Sequence, residues 1–464
     1  MRYLSTLLLI VAMESGSFAK AEESTQDSSR SRSLVSFFKA GKMNGHFRYY
    51  FMTTDNQPGL QDYHANAIGG GLRYETAPFH GFQIGIAGFY IFNIGSSDLT
   101  KRDPKTNQLS RYETGQFNIR DLGNKHDMDR LEDLFLKYSI GKTSIVTGRQ
   151  NIKSPFINPQ DGRMRPTAES GVWVESLGDI KNTEIRAGFI HAISPRGTLE
   201  WFHLGESIGV YSAGVDIYGD KSKYASQIHS DGVFLSNVTH NFKKKVKVQV
   251  WNQFVQNIFN TAMVQADGTF PLVKDWNLVT GFQYIRQDAV ANGGNTDQTL
   301  TYAHKGWKSN IFGVRLGVKN KNFETHISYT RITRDGRFLM PREWGREPLY
   351  TFMARERNEG AGNVHAFVFR IANPFPKARL RPEIAVGYYR LPDVTDFRLN
   401  KYGMPSYWQI NTSLKYEFEG FMKGLDAEIL ALYKGISGET YNNPTNVFNK
   451  VDMFHLNVIL NYHF

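Results

Sequence analysis

The residues best suited to act on a solute in this chain are basic and dispersed. Arg48, Arg73, Arg186, Arg315, Arg370, Arg381 and Lys415 each fall out of phase with apolar neighbours in short alternating stretches. In a strand, successive side chains point to opposite faces, so these cations share the face opposite the apolar one. Guanidinium and ammonium groups spaced along a wet wall attract carboxylates and phosphates. In a narrow passage, a row of such weak sites draws anions in without trapping them. The same stretches supply Glu75, Glu383, Glu417, Asp426 and Glu428. Each cation therefore has two expectations, contact with a solute or pairing with a carboxylate on its own wall.

Covalent chemistry is not indicated. The sequence has no Gly-x-Ser-x-Gly elbow, no His-Glu-x-x-His and no phosphate loop. Its 464 residues include no cysteine, which removes thiolate metal ligands and Cys nucleophiles. His46, His326, His455 and His463 fall singly on polar rows, where hydrogen bonding is the expected role. No catalytic residue, metal ligand or cofactor is assigned.

The elements that must carry these cations are strands. In Val451 to Phe464, the residues Phe454, Leu456, Val458, Leu460, Tyr462 and Phe464 alternate with Met453, His455, Asn457, Ile459, Asn461 and His463. One face is apolar and the other mostly polar, the pattern of a transmembrane β-barrel strand that closes the chain on an aromatic. Asn44 to Phe51, Phe312 to Lys319 and Trp408 to Phe418 repeat it. At the other end Arg2, an apolar run from Leu4 to Met13 and Ala19-Lys20-Ala21 read as a cleaved secretory signal over residues 1–21. Ten apolar residues are about half the ~20 needed for a spanning helix. Cleavage would lower the formal net charge from +11 to +10, leaving 53 basic and 43 acidic residues.

Short connections are expected near Ala77 to His80, Gly141, Leu177 to Lys181, Lys243 to Lys245, Lys274 to Asp275, Asn320 to Asn322, Asn373 to Lys377 and Glu419 to Gly424. Nine mostly longer connections fall between them, and Gly209 to Tyr218 is assigned to one of these outer loops although it looks strand-like. Eight turns and nine loops make an all-β, 18-stranded antiparallel transmembrane barrel over residues 42–464, an even number as bacterial barrels require. Residues 22–41 form a periplasmic N-terminal extension whose LVSFFKA is a short helix at the barrel mouth. It is too short for the plug of a ligand-gated receptor.

HFRYYFM, NAIGGGLRYETAPFHGFQIGIAGFY and GRQNIKSPFINPQDGRMRPTAESGVWVES carry a resemblance to the OprD-type outer-membrane porins, over roughly Gly41 to Phe464. The turn from Tyr74 to Phe82 is the most specific match, and Asn158 to Pro166 is similar to the family's third loop. The sequence departs from the family pattern after Pro166. The resemblance implies outer-membrane localisation and passive diffusion of small carboxylate-bearing solutes through a basic-lined channel. It also implies a monomer or loose trimer, and a third loop that folds inward.

On that reading Arg149, Arg163 and Arg165 lie at the constriction, shaped by Pro159, Asp161, Pro166 and Glu169. The prolines, with Pro155, stiffen the loop, and Phe156 and Ile157 give it an apolar side to dock on the wall. A polar hairpin tip without solute contact is the alternative. Arg331 to Arg357 mixes seven arginines with aromatics, but a solvated loop cross-linked by Glu343, Glu347, Glu356 and Glu359 is expected rather than a nucleic-acid site. Lipopolysaccharide, outer-membrane lipid and small solutes are the expected partners. A barrel hydrolase and an exporter are the rival classes.

Overall fold

A computed structural model describes residues 33–160 and 162–464. The signal peptide, most of the N-terminal extension and Asp161 lie outside them. Alternation becomes strand throughout: β1 (Lys42–Asp55), β2 (Tyr63–Glu75), β3 (Phe82–Asn93), β4 (Met128–Ile140), β5 (Thr143–Gln150), β6 (Ala168–Ile180) and β7 (Thr183–Ser194). After the two-residue β8 (Phe202–His203) follow β9 (Val233–Phe242), β10 (Val246–Val255), β11 (Phe259–Pro271), β12 (Asn277–Ala289), β13 (Lys308–Lys319) and β14 (Glu324–Ile332). The last five are β15 (Val364–Ala372), β16 (Leu380–Arg390), β17 (Tyr407–Glu417), β18 (Leu425–Ile436) and β19 (Met453–His463).

Eighteen of these strands form the wall of a closed antiparallel barrel. β8 only adds two residues to the end of β7 inside a loop, and β7 pairs onward with β9. The ring closes where β1 meets β19, with Tyr50 opposite Ile459 and Thr54 opposite His455. Closure leaves no unpaired edge, which a hydrocarbon environment demands because backbone groups there have no water to bond. The turns and loops fall where expected, and Gly209 to Tyr218 stays in the loop before β9. Lys243 and Lys244 both take positive φ, 47° and 58°. That is the mirror-image turn whose twist matches a two-residue hairpin, so the lysine run marks a tight connection on the periplasmic side.

The outward rows are apolar and uncovered, as Phe47, Val314, Ile410 and Phe454 show, whereas Tyr50, Gln409, His455 and Asn457 on the inward rows are buried. Helix α1 (Leu34–Lys39) begins at a capping box between Ser33 and Ser36. It is fixed to the first periplasmic turn by Ala77 N–H donating to Phe37 O and by Phe37 lying 5.9 Å from Phe79.

The barrel is filled by its loops at the extracellular end. An apolar core joins inward wall residues such as Met263, Ile285 and Val368 to Phe156 and Ile157 of loop 3 (residues 151–167), Leu204 and Ile228 of loop 4 (residues 195–232), and Phe338, Trp344 and Met353 of loop 7 (residues 333–363). Such a core is apolar burial by chain segments that hold little regular structure of their own.

Candidate functional site

The inward rows bring Arg48, Arg186, Arg370, Arg381 and Lys415 to one cavity of about 1400 Å³. Arg315 lines a smaller cavity of about 400 Å³ near the periplasmic end. Arg73 is also inward, between Glu75 and Asp133, each 3.4 Å away. Most of the seven cations are paired across or along the wall. Arg186 reaches Glu184 at 2.9 Å and Glu175 at 3.2 Å, and Arg370 reaches Glu383 at 2.6 Å. Arg315 reaches Asp267 at 2.8 Å, Lys415 reaches Glu428 at 2.9 Å, and Arg381 lies 4.0 Å from Glu417. Most of these partners lie two residues along a strand or on the next strand, within reach by strand geometry, whereas Arg315 reaches Asp267 and Arg73 reaches Asp133 across an intervening strand, past Gly281 and Ala87. Pairing does not empty the site of charge, since eleven Arg and Lys line the larger cavity against five Glu.

Loop 7 crosses the interior above this cavity. The Pro348 carbonyl accepts from Gln283 Nε2 at 3.2 Å, and Tyr350 Oη donates to Asp267 at 2.8 Å. The Thr351 carbonyl accepts from Tyr389, the Phe352 carbonyl from Arg370 and the Ala354 carbonyl from Gln409. Each partner is an inward wall side chain, so the segment is anchored at every step on β11, β12, β15, β16 and β17. Glycine makes room for it: a methyl group on Gly281 would lie 2.7 Å from Tyr350 Oη, and one on Gly387 2.6 Å from Met353 Sδ.

The expectation of a solvated basic loop is therefore corrected. Glu343, Glu347, Glu356 and Glu359 are buried, and they bind chain rather than water. Glu343 accepts from the backbone N–H of Gly209 and Tyr211, and Glu347 from those of Asn358 and Glu359. Burial drives the Glu347 carboxyl up to about 7 despite these donors. Glu356 meets Arg111 at 3.0 Å and Lys434 at 3.1 Å. Burial opposes its charge, but Arg111, Lys434 and Arg342 outweigh burial and hold the carboxyl far below the usual carboxylate range. Arg342 meets Glu359 at 2.7 Å.

At the tip of this segment Arg355, in the left-handed region at φ 71°, gathers four hydrogen-bond acceptors. It donates to the Gly162 carbonyl of loop 3 at 3.1 Å, to Tyr50 Oη at 2.7 Å, to Asn457 Oδ1 and to His455 Nε2 at 3.0 Å. An arginine Nε can only donate, so His455 Nε2 carries no proton and the imidazole is protonated on Nδ1. Nδ1 lies 2.8 Å from Thr54 Oγ1, whose hydroxyl donates at 2.5 Å to Glu113 of loop 2 (residues 94–127). The donors thus run one way from Arg355 through His455 and Thr54 to a buried carboxylate.

The loop 3 residues divide. Pro159 lines the cavity with Ser154, Pro155, Asn158 and Gln160, and its carbonyl accepts from Thr167 N–H. The Arg163 carbonyl accepts from Arg48 Nη1 at 2.8 Å, but its own side chain is buried against Gly115 and the Gly162 carbonyl. Arg165 is wholly buried and donates to the Thr198 carbonyl of loop 4 at 3.0 Å. Desolvation lowers its guanidinium to about 9, with Arg130 adding repulsion. The Pro166 carbonyl accepts from Arg130 at 2.6 Å, and Glu169, at the start of β6, caps Ile152 N–H at 2.8 Å. Arg163 and Arg165 therefore hold loops together from behind, in place of the expected pore contact.

Arg149 departs further. It stands opposite Leu134 and shares the outward phase of Ile145 and Thr147, with its guanidinium 4.6 Å over the Trp201 ring. Arg196, Arg346, Arg355 and Lys153, which do line the cavity, were not singled out for it by the sequence. They sit in loops, where no period marks an inward residue. Among the described residues no group of three or more His, Asp or Glu is placed to hold a metal ion.

A closed eighteen-stranded barrel with an apolar exterior and a charged, loop-narrowed interior is an outer-membrane porin. A model of the outer membrane porins of the OprD family matches residues 35–343, and the chain belongs to that family. Three solved structures share the fold. OpdK of Pseudomonas aeruginosa, crystallised with vanillate, is 12% identical with a TM-score of 0.70. OccK8 (OprE) of the same organism is 15% identical with a TM-score of 0.71, and OccAB2 of Acinetobacter baumannii 14% with 0.68. Each match covers 92% of this chain and 99% of the other. No curated protein matches the sequence. The family places the barrel in the outer membrane as a channel for substrate-specific passive diffusion.

Proposed function

We propose that this porin passes small carboxylate-bearing or anionic solutes, selected moderately by charge, through a lumen narrowed by loops 3 and 7 together. The observation that carries the reading is the excess of cations in the larger cavity, eleven against five, where segments of loops 3 and 7 also line it. Weak sites of this kind raise the local concentration of anions and release them again. A small carboxylate in transit would exchange with the wall carboxylates for Arg370, Arg381 and Lys415 in turn. Loop 3 serves as the inner shelf through the Gly162 and Arg163 carbonyls that Arg355 and Arg48 grip. OpdK holds vanillate, an aromatic carboxylate, in the same fold, which agrees with this solute class. The chain is read as a channel and no catalytic step is assigned to it.

Single-channel conductance in planar bilayers tests the reading. Stable ohmic steps, a reversal potential in a salt gradient that reports anion preference, and block by small carboxylates are expected. A folded, heat-modifiable barrel that conducts with cation preference and no carboxylate block would overturn the selectivity. One that does not conduct at all would overturn the channel.

A further inference from the structure

The lipid-facing wall changes chemistry in steps near the extracellular ends of β14, β15 and β16. Cross-strand register sets Arg331 opposite His365 and His365 opposite Arg390, two arginines flanking an imidazole over three adjacent strands. Two residues closer to the membrane centre the same register lines up Tyr329, Phe367 and Tyr388, and two further Ile327, Phe369 and Val386. Phe367, Tyr388, Ile327, Phe369 and Val386 are all exposed on the outer wall. Each step is about 7 Å. The wall therefore runs from aliphatic to aromatic to cationic over about 14 Å, the order in which a lipid presents its chain, its interface and its headgroup.

The two arginines have no carboxylate partner among the described residues, and His365 stands between them as a hydrogen-bonding group. Arg331 is fixed by donating to the Ile332 and Val364 carbonyls and to Asn363 Oδ1, none of which carries charge. His365 Nδ1 lies 2.8 Å from Tyr329 Oη. Arg390 is exposed and has no hydrogen bond or ion pair among the described residues. At the ends of β1 and β4 the outward rim carries Asp55 and Asp129 instead, both exposed. An anionic headgroup is thus favoured at β14 to β16 and repelled at β1 and β4.

We infer that the Arg331, His365 and Arg390 row is a binding site for the phosphate of an outer-leaflet lipid, lipopolysaccharide in the native membrane. The site rests on the porin reading only through its orientation, long loops outward. Phosphate is the shared chemistry of lipopolysaccharide, anionic phospholipid and free inorganic phosphate, so the test separates the three.

Full-length protein in detergent is titrated with purified lipopolysaccharide, with anionic phospholipid and with inorganic phosphate, following the midpoint of heat modifiability and the lipid retained per barrel. Wild type should be stabilised by lipopolysaccharide, less by anionic phospholipid and not by inorganic phosphate, with the effect shrinking as salt rises. Two cations near an anionic surface correspond to roughly thirty-fold in affinity, which R331Q/R390Q should lose. R390Q alone should lose part of it; its side chain has no partner to forfeit, so a defect there is not a folding defect. Equal retention by wild type and R390Q overturns the site, and an equal response to inorganic phosphate overturns its assignment to lipid. Conductance is recorded on the same samples: unchanged conductance with lost retention supports the site and leaves the channel reading intact, whereas a silent wild-type barrel counts against the channel alone.

Discussion

The wall and loop 7 use ion pairs for opposite purposes. On the wall Arg381 and Glu417 stand 4.0 Å apart with side chains 69% and 61% exposed, and Lys415 is similarly wet beside Glu428. Exposed pairs of that kind are worth about 0–1 kcal/mol and are screened by salt, so a passing carboxylate can replace one partner at little cost. At loop 7 the side chains of Glu356 and of Lys434 on β18 are 3% and 0% exposed, and Arg111 of loop 2 completes the set. There each charge has left water and depends on its partners. Removing one member of a buried set costs about 3–5 kcal/mol, because the others remain charged and unpaired. The first set is built to be interrupted and the second to persist.

The largest expected effect tests that persistence. Glu356→Gln should release loop 7, raising single-channel conductance and opening the loop to protease while the eighteen-stranded wall stays heat-modifiable. Unchanged conductance would show that the buried set does not fix the pore width. Thr54→Val, which deletes the hydroxyl between His455 and Glu113, should cost about 1–2 kcal/mol of local order, since it leaves a buried donor and acceptor unmet. Added open-channel noise is its signature, and Thr54→Ser should remain quiet. If the noise of Thr54→Val and Arg355→Ala simply adds, the two groups do not act as one chain.

Arg381→Ala and Lys415→Ala together should shift reversal potential toward cations while changing stability by less than about 1 kcal/mol. A stability loss comparable with that of Glu356→Gln would erase the distinction between wall and loop. The smallest effect concerns pH. Glu347 has its folded carboxyl raised to about 7, above the ordinary unfolded value near 4.5. The folded loop therefore binds the proton more tightly than the open one, and its stability falls as pH rises between those two values. Protection of the Asn358 and Glu359 amides, taken relative to their intrinsic exchange rates, should fall as pH rises from about 4.5 to about 7, and Glu347→Gln should remove that fall.

The wall was legible because each strand repeats a two-residue period and a wrong phase would put charge against lipid. Phe47, Val314 and Ile410 announce the outer face within a few residues of sequence, and the inward phases of Arg48, Arg370 and Lys415 follow. The carboxylate partners Glu75, Glu383, Glu417 and Glu428 were legible too, since strand neighbours have fixed spacing. Arg149 was misplaced by its nearness to loop 3, although Ile145 and Thr147 share its phase. Loop 7 was not legible. Its anchors, Asp267, Gln283, Arg370, Tyr389 and Gln409, lie scattered over the chain, and nothing periodic in Arg331 to Arg357 marks a segment that will be buried. Arg163 and Arg165 show the same limit: a basic pair in a loop reads alike whether it faces a pore or a neighbouring loop.

Arg355 also sits at the seam of the ring. Tyr50 belongs to the first strand, His455 and Asn457 to the last, and one guanidinium bonds all three, while Arg48 reaches Asn461 across the same joint. The two strands that meet last in chain order are thereby stitched from within by a loop that lies between the fourteenth and fifteenth strands. The loop that narrows the lumen therefore also ties the first strand of the ring to the last.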